Sequence, residues 1–513
     1  MDLRLLLQSS ESAPSYNSDT LAPSILIDGR LWHLSNSLDI SNPSSIPPFT
    51  CVSFTWGPGR VPNPFHPGRI MSDRTIPALT AAMRHHFHPE TQDGGHSAGF
   101  WIDALCIPDT QPSRRATLES MGFVYSRASV VTVSLSGPLA TILHHMTSNT
   151  NYTLSEDELQ IAERDEWVTS VWTYQEIVNS QTLFFIAISD EDDHANGATG
   201  VFLGLGVPGS RFLNCVGHSL SLYKRHHNFD VQKGFPRLDA LEDVTVNWLT
   251  ADAFARSALK VMSNLDRRVC ASNRPENRFY SMIGAITQSP KDRVFPASSG
   301  PSSKPMIPDI AESFMGICEA KGDYSFIFSS AERDNAVGRR WRPKAGFIPA
   351  ILPWDCHGDG LRGHYDKHGF WLDNVYRIDA FASTTLGDAG RQIVLGWLRL
   401  SGSPASDADI TNKSAGRLKQ IGFTGSSKSI TTPHGIFFPQ NTIQRNANTR
   451  SECIIIIPAT LQRVFGYPAL ARIKTSGGSE GFSFVAGVFV GSAPNAAASS
   501  VLIDPTAHSH TSA

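Results

Sequence analysis

Apolar residues in this chain fall into short runs of two kinds, and their succession sets out an architecture. Residues 24–34 place two apolar runs on either side of Asp28-Gly29, a dipeptide suited to a tight hairpin turn. After a proline-rich connection, residues 49–54 read as a strand stopped by Gly57-Pro58-Gly59, and residues 99–105 as a second strand ended by Pro108. Leu118, Met121, Tyr125 and Ala128 then recur at three- and four-residue steps, which predicts one helix over residues 113–128. The β-branched residues 129–135 follow as a buried strand. A strand, helix, strand succession of this length predicts a right-handed crossover in a parallel sheet.

Residues 138–165 read as an insertion with an acidic helix at 156–161. Trp167, Val171, Tyr174 and Val178 form a core-facing stripe that predicts a continuous helix over 166–178, with a strand at 183–188 behind it. Val244, Trp248, Phe254, Ala258, Met262 and Leu265 predict a long helix within 238–269. Residues 298–305 have linker composition. Beyond Arg340, short runs at 391–400 and 453–457 read as strands among Gly, Ser, Asn and Pro. The fold class is therefore α/β: a parallel sheet flanked by helices, then a helical middle region and a β-rich C-terminal region. The implied organisation is a disordered segment at 1–23, an α/β domain at 24–190, a helical extension at 191–300, a linker and helix at 301–340, and the β-rich region at 341–513.

A length of 513 residues implies two or three cores, and 41% apolar with 18% charged residues describes a chain able to bury them. A net charge of -3 gives no global attraction to nucleic acid or an anionic membrane. The seven cysteines are scattered without a CxxC pair, which fits thiols in a reducing, cytoplasmic setting. The apolar run at the start is too short for a secretory signal, and no stretch approaches the roughly 18 apolar residues of a spanning helix.

Catalytic signatures of the GxSxG, HExxH, Walker and GxGxxG types are absent from the sequence. His85, His86 and His88 stand beside Pro89 in a polar stretch and read as solvated loop histidines before metal ligands; no metal is expected. Gly57-Pro58-Gly59-Arg60 can present backbone N–H groups at the carboxyl end of a strand, with Arg60 as a phosphate contact, or form an ordinary turn with an exposed arginine. Asp103, in an apolar run, reads equally as a cap on the next turn or as a polar group at the sheet's carboxyl edge. Glu176 lies far round the helix from the 167–178 stripe, so its ordinary reading is a solvated glutamate, one turn after a Trp172 indole that could wall a cleft.

Three blocks carry a family resemblance. Ser53, Trp56 and Gly57 match a strand ending Ser-x-x-Trp-Gly; Trp101 to Ile107 match Trp-Ile-Asp-Ala-x-Cys-Ile; Trp172, Thr173, Gln175 and Glu176 match Trp-Thr-x-Gln-Glu. In this order they resemble the signature of the fungal heterokaryon incompatibility (HET) domain, over about the first third of the chain. Asn277 to Gly284 is similar to a segment that often follows that domain. Departures are Ser170 where the family block has arginine, and Pro108-Asp109 where it has Asn-Gln.

HET domains are in turn similar to TIR domains, flavodoxin-like parallel sheets. The resemblance implies nonself recognition and regulated cell death, with Glu176 at the catalytic position of NAD-cleaving relatives. NAD is then a substrate and no cofactor is implied. Ser53, Trp56, Gly57, Gly59, Arg60, Asp103 and Trp172 would line the substrate site, and self-association or protein partners would switch it. The departures point instead to a noncatalytic adaptor or a degenerate member.

Overall fold

The computed structural model describes residues 3–9, 24–40, 42–66, 68–88, 98–108, 113–188, 206–227, 234–250, 256–287, 306–353, 356–380, 385–400, 406–443, 453–475 and 481–507. The chain divides into two compact units. One comprises Met1–Ala253, Arg268–Arg293 and Ala297–Lys304; the other comprises Phe254–Arg267, Val294–Pro296 and Pro305–Ala513.

The first unit runs through β1 (Leu6–Gln8), β2 (Ser24–Ile27), β3 (Arg30–Leu34), β4 (Phe49–Ser53), β5 (Arg60–Pro62), β6 (Ile70–Ser72), α1 (Thr75–His86) and β7 (Gly99–Ile102). Next come α2 (Asp103–Cys106), α3 (Ser113–Glu119), α4 (Met121–Arg127), β8 (Val130–Leu135), α5 (Ala140–Ser148), α6 (Glu156–Arg164), α7 (Glu166–Thr169) and α8 (Thr173–Asn179). They are followed by β9 (Leu183–Ala187), β10 (Val207–Pro208), α9 (Gly209–His226) and α10 (Pro236–Thr250). After α11 (Ala258–Leu265), which belongs to the second unit, the first is completed by α12 (Glu276–Ile286).

Its eight-stranded sheet has the order β10-β9-β8-β4-β7-β1-β3-β2. The centre is parallel, β4 pairing with both β7 and β8, and β8 with β9. Antiparallel strands extend both sides, so the expected parallel sheet is a mixed one. β4 (FTCVS) and β7 (GFWI) are buried at every position, the pattern of strands covered on both faces. Chain order β4, β7, β8, β9 becomes spatial order β7-β4-β8-β9, so the winding reverses at the carboxyl end of β4. Crevices for ligands form at such a reversal.

Asp28 and Gly29 take φ values of 48° and 73°, the two positive angles of a type I′ turn, and join β2 to β3 as the sequence predicts. Within the segment read as disordered, Leu6–Gln8 instead forms β1 between β7 and β3, with Leu3, Leu5 and Leu6 fully buried. Residues 1–2 and 10–23 of that segment, like the 298–305 linker, lie outside the described residues.

Three predicted helices are each two. Ser120 (φ -108°, ψ 9°) separates α3 from α4, its hydroxyl bonded to the Ala116 carbonyl at 2.7 Å. Ser170 (ψ 140°) separates α7 from α8: Val269 N donates to Thr169 O at 2.6 Å and Val171 N to Val269 O at 3.2 Å, so this segment gives up helical bonds for strand-like pairing. The long helix over 238–269 is α10 and α11, with residues 251–255, Phe254 included, outside the described set.

The second unit continues through α13 (Ile307–Ala320), β11 (His357–Gly358), β12 (Gly363–Asp366), β13 (Gly369–Asp379), α14 (Asp388–Leu398), α15 (Asp407–Gln420), β14 (Ile430–Thr432) and β15 (Gly435–Pro439). It ends with β16 (Cys453–Pro458), β17 (Leu461–Gln462), β18 (Gly466–Thr475), β19 (Gly481–Gly491) and β20 (Ser499–Asp504). Its main sheet is antiparallel, in the order β12-β13-β16-β18-β19-β15-β14 with β20 also on β13, over a core that includes Ile378, Phe437, Ile455, Ile457 and Phe489. The run at 391–400, read as a strand, is the body of helix α14, which ends at Arg399 in the left-handed conformation (φ 56°). A short apolar run does not distinguish strand from helix by periodicity.

In the first unit α4, α8 and α12 pack on one another. Closest approach is at two glycines: a Cβ on Gly122 would lie 1.9 Å from the Gly284 carbonyl oxygen. Gly122→Ala should therefore destabilise by about 1–3 kcal/mol through overpacking. Gly217→Ala in α9, whose Cβ would meet nothing nearer than 3.4 Å, should be neutral or gain up to about 1 kcal/mol. Urea unfolding followed through the tryptophans checks both; equal midpoints for the two variants would contradict the packing described.

Candidate functional site

β4 ends at Ser53, and the chain then bends through Trp56-Gly57-Pro58-Gly59 into β5. Gly57 has φ 58°, and a Cβ there would lie 2.7 Å from the Arg74 guanidinium carbon; at Gly59 it would lie 1.6 Å from the Asp73 carboxylate. The positive φ requires glycine at position 57, whereas a side chain at position 59 would displace the Asp73 carboxylate from the start of α1. Arg74 is anchored there, donating to Glu166 at 2.6 Å and Thr55 at 3.2 Å. Arg60 folds back on the bend, its Nη1 donating to the carbonyls of Gly57 (2.7 Å) and Gly59 (2.6 Å) with the guanidinium 5.7 Å from the Trp56 ring.

Asp103 is the first residue of α2, just past the end of β7, not a position inside a longer strand. Its carboxylate accepts from its neighbour's Ala104 N–H at 2.6 Å and from Trp56 Nε1 at 2.9 Å. Asp103 thus sits at the carboxyl edge of the sheet, and its carboxylate reaches only the adjacent Ala104 N–H of the following turn, α2 having no side-chain cap. Burial raises its pKa to about 6, against the donors Trp56 and Ala104 and the charges of Arg114 and Arg69.

Glu176 departs most from the helical-wheel reading. Glu176 still lies opposite Tyr174 and Val178 within α8, but that helix is covered on every side and all seven of its residues are buried. Glu176 exposes only 6% of its surface. Its Oε2 accepts a short hydrogen bond from the Ser53 hydroxyl, which in turn accepts from Trp167 Nε1 at 2.7 Å. An indole nitrogen only donates, so the Ser53 proton is directed to the carboxylate. Tyr125 adds another side-chain hydrogen bond to it.

Desolvation by burial is the largest influence and raises the Glu176 pKa to about 7, with the nearby Asp103 charge adding to the rise. The Ser53, Tyr125 and Trp167 donors oppose it. Near neutrality this carboxyl is thus divided between its two forms. Cys51, beside it in β4, is held protonated, its thiol pushed up by burial first and then by Cys106 and Glu176.

The structure therefore groups Ser53 with Glu176 at one strand end, joins Trp56 to Asp103, and packs Arg60 onto the Gly57–Gly59 bend. Trp172 belongs to another pair: its ring stacks on Tyr280 of α12, centroids 6.4 Å apart and planes 9° apart. Ser170 stands where the resemblance expects arginine, yet a guanidinium reaches this segment from Arg268, which donates to Thr173 Oγ1 at 2.6 Å and to the Ser170 and Val168 carbonyls at 3.2 Å. Asp109 lies outside the described residues.

Trp167 and Tyr125 were legible only as apolar stripe positions, and it is their polar tips that complete the site. Nor are His85 and His86 solvated loop residues: they end α1, with His85 buried against Phe184 and accepting from Gly206 N at 3.2 Å. Among the described residues no cluster of three His, Cys, Asp or Glu side chains is placed to hold a metal, and no helix is long and apolar enough to cross a membrane.

A family model described as Heterokaryon incompatibility protein (HET) matches residues 49–183, a span that includes Ser53, Trp56, Asp103, Tyr125, Trp167 and Glu176. No curated protein and no solved structure matches the chain.

A raised carboxyl pKa means the folded state holds the proton more tightly than the unfolded chain. Stability from Glu176 is therefore full below about pH 4.5 and lost as pH rises through about 7, a difference on the order of 3 kcal/mol. Asp103 acts in the same direction at lower pH. Glu176→Gln, which keeps an acceptor for Ser53, should flatten this dependence and be the more stable protein at about pH 8. Denaturant midpoints for both proteins across the range test it, and an unchanged slope in the variant would rule out Glu176 as its source.

Proposed function

We propose, from the match of residues 49–183 to the HET family model, a heterokaryon incompatibility-type protein with a role in fungal nonself recognition and regulated cell death through hydrolysis of the nicotinamide N-glycosidic bond of NAD. Glu176 is the catalytic carboxylate of this proposal. The observation that carries it is the placement of a buried carboxyl, with a pKa of about 7, beside the carboxyl end of β4 where the sheet's winding reverses.

Cleavage breaks the bond from the ribose C1′ to the pyridinium nitrogen, and nicotinamide departs with the bonding pair. The sugar passes through an oxocarbenium-like state, and water adds at C1′ and releases a proton. Ionised Glu176 would stabilise the developing positive charge, with Ser53, Tyr125 and Trp167 holding it in place. The Gly57 to Arg60 bend would face the diphosphate, and Trp172 the ribose. In the structure Glu176 is enclosed, Arg60 covers the bend's carbonyls and Trp172 stacks on Tyr280. Self-association is accordingly the step assigned to opening the site. The charge pattern supplies no reason to include nucleic acid or membrane among the partners, which would be protein.

A second reading, a noncatalytic adaptor, draws support from that enclosure and from Ser170 and Pro108-Asp109 in place of the family's arginine and amide pair. Nicotinamide release by the full-length protein, free and artificially clustered, separates the two. The catalytic reading predicts a rate that rises with pH through about 7 and falls on the order of 10²-fold or more in Glu176→Gln. Ser53→Ala removes a donor that favours the carboxylate, and should move the midpoint of that profile upward. Release indifferent to Glu176→Gln removes the glutamate from the chemistry, and none from the clustered protein supports the adaptor.

A further inference from the structure

The break between α7 and α8 is held from outside by a buried cation. Arg268, with 7% of its surface exposed, donates from Nη1 to Thr173 Oγ1 at 2.6 Å and to the Val168 and Ser170 carbonyls at 3.2 Å. The Thr173 hydroxyl gives its own proton to the Ser170 carbonyl at 2.9 Å, so it meets the guanidinium as an acceptor. The next residue, Val269, is bonded on both sides of Ser170, to Thr169 and to Val171. We infer that Arg268 is a positioning residue for Glu176: it fixes the end of α7 against the start of α8, and with them the two sides of the hydrogen-bond relay through Ser53.

Trp167, in α7, donates to Ser53, and Glu176, in α8, accepts from it. The two helices are only four and seven residues long, far below the ~12 residues at which a helix begins to hold its own shape. A rotation at Ser170 would therefore draw the indole away from the hydroxyl, or the hydroxyl away from the carboxylate. The last carbonyls of a helix have no helical partner, and Arg268 takes up Val168 at the end of α7 together with Ser170 beyond it. A guanidinium suits this place because its donors form a rigid planar fork, whereas an ammonium is a compact point charge. Its carbon also lies 5.9 Å from the ring of Tyr174, the second residue of α8.

The effect of Arg268 on activity presupposes the NAD-cleaving reading above; its effect on the Glu176 carboxyl does not. Ser170 is also weighed differently. Where the family block has arginine, a guanidinium reaches the same carbonyl from Arg268, so the serine no longer counts against a working site. The titratable groups facing Glu176 are Asp103 past the end of β7, Cys51 in β4 and Tyr125 in α4. Ser53, Tyr125 and Trp167 hold its pKa down against burial. Losing the aim of the relay weakens those donors and raises the pKa, while water entering a merely loosened core would lower it toward 4.5.

Infrared spectra of the full-length protein across pH, each differenced against the same protein carrying Glu176→Gln, follow the Glu176 carboxyl in Arg268→Lys, in Thr173→Val and in Arg268→Lys combined with Ser170→Arg. Arg268→Lys keeps the charge and loses the fork, and should raise the midpoint by about 0.5 or more; Thr173→Val, which removes the acceptor alone, should move it the same way. Ser170→Arg returns a guanidinium to the break and should bring the midpoint back toward the wild-type value. Nicotinamide release by the clustered protein at pH 7 should fall about twofold or more in Arg268→Lys and recover in the combined variant. A midpoint that stays or falls in both Arg268→Lys and Thr173→Val overturns the positioning role, and one that Ser170→Arg leaves displaced overturns the exchange between positions 170 and 268. Wild-type protein that releases no nicotinamide sinks the NAD reading, and the infrared midpoint still decides for or against Arg268.

Discussion

One carboxyl group withdrawn from water organises the first unit. Burying Glu176 costs free energy that grows with every contact excluding solvent, and the fold answers with donors: Ser53 at the end of β4, Tyr125 from α4 and Trp167 from α7. Ser53 is held in turn by the Trp167 indole, so that the strand end and two helices are joined through a single hydroxyl. The donors and the burial pull the Glu176 equilibrium in opposite directions, and burial prevails. The outcome is a group that changes charge near neutrality, which is the property both a catalyst and a pH-sensitive structural element require.

Geometry determines that this happens at β4 and not elsewhere. β4 lies between β7 and β8, the neighbours it meets before and after the winding reverses, and such a reversal is where a crevice can form at the carboxyl ends of the strands. Gly57 and Gly59 let the chain fold tightly there without a side chain meeting Arg74 or Asp73. Trp56 is then carried to Asp103 at the end of β7, so two adjacent parallel strands are linked at their tips by one indole-to-carboxylate bond. Two acids with raised pKa values thus share one edge of the sheet, about 6 for Asp103 and about 7 for Glu176.

What the sequence disclosed follows the range over which each signal acts. The Asp28-Gly29 hairpin, the buried strands and their parallel order were legible, because turn chemistry and apolar runs are local. The three blocks placed Ser53, Asp103 and Glu176 within the HET span. Helical periodicity misplaced Glu176, since the wheel assumes a helix with one face in solvent, and α8 is buried all round by packing that the sequence does not show. Tyr125 and Trp167 were hidden for a related reason: an aromatic residue on an apolar stripe reads as core whether or not its polar tip has a partner. The strand expected at 391–400 became α14 because a short apolar run carries no decisive period.

The central claim is that Glu176 is buried, donor-bound and poised near neutrality. Difference infrared spectra between the wild-type protein and Glu176→Gln, recorded as a function of pH, isolate the carbonyl stretch of this one protonated carboxyl. The account predicts that the band persists well above the ordinary glutamate range and disappears with a midpoint of about 7. A band lost near 4.5, the value of a solvated glutamate, would contradict it.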